Sequence, residues 1–166
     1  MNLALLILFP ALMAFAAASD LLTMTIPNRI AVLLFAGFLA ASLLFGLSLQ
    51  AIGFNLLAGV FVLVITFAMF ATGWIGGGDA KLAAATALWI GWDNLADYAL
   101  YSTLIGGVLT LLILQARRWP LPSALVAQPW INRLHQTGNG VPYGIALAAA
   151  GLLIYPDTRI WLAGAA

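Results

Sequence analysis

The sequence predicts an all-α protein, a polytopic membrane bundle of about six transmembrane helices. Three observations predict it. The 166 residues are 64% hydrophobic and only 7% charged, where a soluble domain carries roughly a quarter charged residues. Mean hydropathy is +1.09. Apolar runs near the length that crosses a bilayer recur from end to end, parted by short breaks rich in proline, glycine and charge.

The first run, residues 3–19, ends at Asp20. Ala16-Ala17-Ala18 has the small side chains of a signal-peptide cleavage region, but Met1-Asn2 supplies no basic segment and further spans follow, so the run is expected to be a retained first helix. Residues 21–29 form a break, where Pro27 disfavours helical geometry at Ile26. Residues 30–47 and 53–72 are the second and third spans. Gly73-Trp74-Ile75-Gly76-Gly77-Gly78-Asp79-Ala80-Lys81-Leu82 follows, with three consecutive glycines, a carboxylate and the only lysine of the chain. The fourth span, 81–92, is short and alanine-rich, with Asp93, Asn94 and Asp97 at its far end. The fifth, 98–116, is closed by Arg117-Arg118. A polar loop runs on to Gly140, kept from forming one helix by Pro120, Pro122 and Pro129. Trp119 and Trp130 suit a membrane interface. Residues 141–155 make the sixth helix, followed by an apolar patch at 160–163. There is no internal repeat, and residues 1–166 are expected to form a single membrane-embedded domain.

Composition narrows the chemistry. Without cysteine there are no disulfides, no thiolate nucleophile and no cysteine zinc site. One histidine cannot build a histidine-rich metal centre, and no cofactor or metal is expected. All acidic groups are aspartates, five in number. A net charge of +1 gives no reason to expect a nucleic-acid partner.

Six alternating spans place Arg29, Lys81, Arg117, Arg118 and Arg133 on one side of the bilayer, and Arg159 with Asp93, Asp97 and Asp157 on the other. The positive-inside rule then puts Asp20, the glycine stretch and the long loop in the cytoplasm and both termini outside it. This topology brings Asp20, at the end of the first helix, and Asp79, at the start of the fourth, to one face of the membrane. Two neighbouring carboxylates share a proton. One acts as general base on a water while the other donates to the substrate, which is the chemistry of an aspartic peptidase. Two rival readings remain open: a small transporter that uses the aspartates as proton or cation sites, and a non-catalytic subunit of a secretion or pilus assembly.

Gly76-Gly77-Gly78-Asp79 resembles the GxGD motif of intramembrane aspartic peptidases, and the wider pattern resembles the prepilin peptidases most closely. Ser19-Asp20 with Ile26-Pro27-Asn28-Arg29 is similar to that family's first-aspartate region. The stretch 73–82, followed by Ala87-Leu88-Trp89-Ile90-Gly91, is similar to its second. Val141-Pro142-Tyr143-Gly144-Ile145-Ala146 resembles the start of its last conserved helix. The resemblance implies Asp20 and Asp79 as the catalytic pair. It implies cleavage of membrane-tethered prepilins on the cytoplasmic side of the bacterial inner membrane. Such substrates carry a short basic leader, a glycine before the cut and a hydrophobic helix after it. Larger relatives carry a cytoplasmic domain with paired cysteines and N-methyltransferase activity. This chain looks like the short, peptidase-only branch associated with tight-adherence (Flp) pili.

Supporting roles are expected of six further residues. Gly76, Gly77 and Gly78 would let an extended substrate backbone approach. Lys81 is either an electrostatic partner of the aspartates or a snorkelling anchor. Asn28 either bonds the catalytic loop or completes the turn after Pro27. Tyr143 either lines the substrate cleft or sits at the interface, and Pro142 starts the last helix. His135 is expected in a solvated loop, and Arg117, Arg118 and Arg133 as topology anchors.

Overall fold

The computed structural model describes residues 3–165; Met1, Asn2 and Ala166, on which the orientation of the termini partly rests, lie outside them. Five long helices come first: α1 (Leu3–Thr23), α2 (Asn28–Leu44), α3 (Leu49–Ala71), α4 (Gly77–Ile90) and α5 (Leu95–Ala116). The polar loop holds two short helices, α6 (Ser123–Val126) and α7 (Pro129–His135). The chain closes with α8 (Gly144–Ile154), a 3-10 turn (Tyr155–Asp157) and α9 (Arg159–Ala165). His135 therefore ends a short helix and is half-buried, where a solvated loop was expected.

All six apolar segments are helical, but they differ in reach. α1, α3 and α5 are long and apolar enough to cross a membrane, and α8 with α9 makes a fourth candidate broken by a 51° bend. α2 has 17 residues and α4 only 14. At 1.5 Å per residue α4 is about 21 Å long, short of the ~30 Å hydrocarbon core. It does not need that length. Ten of its residues, from Ala80 to Ile90, are buried, because α3, α2 and α8 pack around it. α4 is the internal post of the bundle, and its small side chains let its neighbours come close. At Gly59 of α3 a Cβ would collide with the Leu88 side chain.

The core is anchored on Trp89, fully buried near the end of α4. Its ring packs on Phe9 of α1, at 5.2 Å between centroids, and on Tyr155. Its indole N–H donates to the Leu34 carbonyl of α2 at 2.8 Å, which satisfies the one polar atom of the side chain. Asn55 of α3 is buried too, and its amide donates to the Leu88 carbonyl at 2.9 Å.

Helix ends explain where sequence-read boundaries shift. α2 stops at Leu44, three residues earlier than the apolar run, because Gly46 turns left-handed (φ 70°). The Leu47 and Gly46 amides then bond back to the Ser42 and Leu43 carbonyls, forming a Schellman turn. α3 ends the same way around Gly73 (φ 77°), with Trp74 and Gly73 bonding to the Met69 and Phe70 carbonyls, each at 2.9 Å. That turn swings Trp74, Ile75 and Gly76 back toward the start of α4. α1 behaves differently. It runs through Asp20 for another turn and ends on Met24, whose φ of 56° suits glycine or asparagine better. The strain, of order 1–2 kcal/mol, is offset by a local network. Ser19 Oγ donates to the Thr25 carbonyl at 2.8 Å, Thr23 Oγ1 donates to the Ser19 carbonyl at 2.7 Å, and Arg133 of α7 donates to the Thr23 carbonyl at 3.2 Å.

Candidate active site

The break after α1 aims Ile26 into the bundle, and Ile26 sets the spacing of the site. On one side it meets Gly78 of α4, where an added Cβ would lie 3.2 Å from the Ile26 Cβ. On the other it meets Gly144, the first residue of α8, where a Cβ would lie 2.7 Å from Ile26 Cδ1. Both helices start on a glycine-bearing turn, and one isoleucine separates them. Asp20 and Asp79 flank this wedge.

Asp20 is 5% exposed. Its Oδ2 accepts the Gly144 backbone N–H at 2.7 Å, so the start of α8 supplies a donor to a buried carboxylate. A Cβ on Gly144 would sit 2.8 Å from the same oxygen. Only glycine allows this approach.

Asp79 is the third residue of α4, and Gly76 is the N-cap. Its carboxylate folds back over Gly76, where an added Cβ would stand 3.0 Å from Oδ2. Asp79 thus holds the third helical position, from which an acidic side chain faces the N-cap, with glycine in place of a capping serine or threonine. Asp79 is half-buried, and each carboxylate lies within electrostatic reach of the other. So the chain brings together two acids that stand 59 positions apart in sequence.

Asp79 also lines a cleft of about 890 Å³. One wall is α3, through residues such as Val62, Ile65 and Thr66. The other is α5, through Tyr98, Ala99 and Ser102. α4 contributes Ala83 to the cleft, and the loop Gly73–Gly76 with Gly140, Val141 and Tyr143 surrounds the end that holds Asp79. The lining is apolar except near that end and along the hydroxyl-bearing face of α5.

The remaining sequence-predicted residues divide. Tyr143 lines the cleft beside Asp79; its hydroxyl donates to the Ser102 carbonyl at 3.1 Å and its ring occupies the space at Gly106. Gly76 lines the cleft, but Gly77 and Gly78 lie in the first helical turn of α4, facing Phe70 and Ile26. The expected open glycine loop is thus mostly helix, and two of its three glycines serve close packing. Lys81 forms no ion pair with Asp79 among the described residues. Its ammonium donates to Asn28 Oδ1 at 2.9 Å, so Asn28, the first residue of α2, ties α2 to α4 and does not reach the aspartates. Pro142 precedes α8 by two residues and is buried.

Four contributors escaped the sequence reading. Gly144 was visible only as part of the Pro142-Tyr143-Gly144 block, and Ile26 only as the residue before a proline. Arg117 and Arg133 read as topology anchors, yet both organise backbone. Arg117 donates to the Leu134, Asn139 and Gly140 carbonyls at 2.8, 3.0 and 2.9 Å, which fixes the approach to Tyr143.

Comparison with known proteins fits this geometry. Residues 7–111 match the family model for the type IV leader peptidase family, a stretch that contains Asp20 and Asp79. The chain is 34% identical over 124 residues to a protein of Bacillus subtilis (strain 168) described as prepilin leader peptidase/N-methyltransferase. The aligned part is 71% of this chain and 49% of that protein, so the chain spans about half the length of this curated relative. No solved structure matches the chain. The family model covers well over half of the sequence and both aspartates, and the chain belongs to the type IV leader peptidase family.

Proposed function

We propose that this protein is an aspartic endopeptidase that removes the short cytoplasmic leader from pilin precursors, with Asp20 and Asp79 as its catalytic pair. The observation that carries the reading is that Asp79, which lines the 890 Å³ cleft, lies within electrostatic reach of the buried Asp20. Two turns of helix, ~11 Å long and ~10 Å across, fill roughly 850 Å³. The cleft therefore has room for the first turns of a precursor's apolar helix, with the scissile bond beside Asp79. One carboxylate takes a proton from water as the water oxygen bonds to the scissile carbonyl carbon. The other, protonated, gives its hydrogen to the carbonyl oxygen. Collapse of this tetrahedral intermediate breaks the C–N bond, with a proton passing from the pair to the leaving amine. Gly144 N–H holds Asp20, and Asp79 folds back over Gly76. Gly77, Gly78, Lys81 and Asn28 support the site through α4 packing, and Tyr143 borders the substrate.

The finer assignments belong to the same proposal: a multi-pass protein of the bacterial inner membrane, the aspartates on the cytoplasmic side, both termini outside, and one peptidase domain of the Flp-type branch. The orientation is supported by the distribution of basic residues. Both aspartates stand within a turn of a helix end, which favours a peptidase facing one compartment over a transporter with midplane sites.

The test is co-expression with precursors that carry a basic leader, a glycine before the cut and a hydrophobic helix. A mobility shift that disappears in Asp20→Asn and in Asp79→Asn, with both variants still in the membrane, is expected. Full processing by either variant overturns the two-aspartate mechanism.

A further inference from the structure

The opposite face of α4 carries a second recess, distinct from the cleft. It measures about 250 Å³ and is floored by Ala84, Ala85 and Leu88 of α4, with Phe35 of α2 and Leu56 and Val60 of α3 among its walls. Among the described residues, Lys81 is the only charged one that lines it. Positions 81, 84, 85 and 88 recur at the three- and four-residue spacing of one helix face. Asp79, about 200° around the helix from Lys81, faces the other way.

We infer that this groove is a binding site for an anionic phospholipid, with an acyl chain along α4 and the phosphate at Lys81. The inference goes beyond the peptidase reading and does not depend on it. Size argues for the chain. Roughly 850 Å³ is needed for two turns of a helix, more than three times what the groove offers, while a single extended hydrocarbon is thin enough. Charge argues for the headgroup. Lys81 gives one hydrogen to Asn28 Oδ1, and an ammonium has three. Its two other hydrogens remain as donors at the groove's end. α2 and α3, the two walls, contain no carboxylate at all. Phosphate oxygens meet donors there and no competing acid.

The test uses the full chain in nanodiscs with two photoreactive lipids, phosphatidylglycerol and phosphatidylcholine, each bearing a diazirine on one acyl chain. Cross-linked peptides should map to Phe35, Leu56 or Leu88, with phosphatidylglycerol favoured about fivefold, the effect of one basic side chain at a membrane surface. Lys81→Gln should erase the preference and Lys81→Arg should keep it. Val60→Trp, which fills the groove from the exposed side of α3, should lower labelling by both lipids. Equal labelling by the two lipids in the unaltered protein, a preference that survives Lys81→Gln, or full labelling of Val60→Trp overturns the site. Loss of lipid adducts at these residues when each nanodisc holds two copies of the protein instead of one would assign the groove to a second copy and overturn it as well. Peptidase activity enters none of these readouts, so failure here leaves the cleavage mechanism standing.

Discussion

The two sides of α4 differ in the sign of their one charge and in the volume beside it. One side presents Asp79 to a cleft of about 890 Å³, and the other presents Lys81 to a groove of about 250 Å³. Both residues sit in the first turn and a half of the same helix, two positions apart. Helical periodicity alone turns that short separation into two environments. A charged pair at i and i+2 that looks like one site in sequence is split by the backbone into two. The lesson concerns motif reading: the residues beside a catalytic aspartate are neighbours in the chain, and only those three or four positions away share its surface.

The sharpest way to break the comparison is at the carboxylates. Asp79→Asn is expected to lower cleavage by about 10²–10⁴-fold, the range for losing a general acid or base. Lys81→Gln, which changes a charge two positions away on the other face, is expected to lower it less than tenfold. Rates on one precursor in one membrane preparation decide it, and equal losses would mean that the faces are not independent.

Gly144→Ala comes next. The new Cβ would stand 2.8 Å from Asp20 Oδ2, too close to remain. Cleavage should fall roughly a hundredfold, since an ångström of misplacement near the chemistry has about that effect. Gly107→Ala is the control, because nothing lies within 4 Å of its Cβ position. It should cleave normally and gain up to ~1 kcal/mol from helix propensity. A similar activity loss in both variants would remove the special standing of Gly144.

A third pair separates the two recesses on α3. Val62 lines the cleft and Val60 the groove. Val62→Trp should raise KM about tenfold or more by filling the space for the substrate helix, whereas Val60→Trp should leave KM within about twofold. The smallest effect is expected of Tyr143→Phe, which removes one hydrogen bond to the Ser102 carbonyl. At roughly 1 kcal/mol per bond, cleavage should drop about fivefold, and a loss as large as that of Asp79→Asn would give Tyr143 a direct part in the chemistry.

Much of this was legible in the sequence, for identifiable reasons. Apolar runs and their breaks located all six principal helices, because membrane-scale hydrophobicity needs no knowledge of partners. The aspartates were legible because carboxylates are rare in such segments. The length of α4 was not, since its burial depends on three other helices that a one-dimensional pattern does not bring together. The helical state of Gly77 and Gly78 was hidden for a related reason. Glycine lacks a Cβ both where a loop must open and where Phe70 and Ile26 must come near, and composition cannot separate the two. The end of α1 was misplaced at Asp20 because a polar residue looks like a boundary. The helix runs on to Thr23, whose carbonyl is held by an arginine 110 residues downstream, and turns at Met24.

The bond from Gly144 to Asp20 joins positions 124 apart. Synthesis runs from the N-terminus, so α1 through α5, and with them both aspartates, leave the ribosome before Gly144 does. Until α8 arrives, Asp20 lacks its donor and Ile26 has only one of its two neighbours. Long-range closure of this kind comes late in folding. The order of synthesis itself thus keeps the proposed catalytic site incomplete in the nascent protein, and a ribosome-tethered chain ending before Pro142 would carry both aspartates without the donor to Asp20.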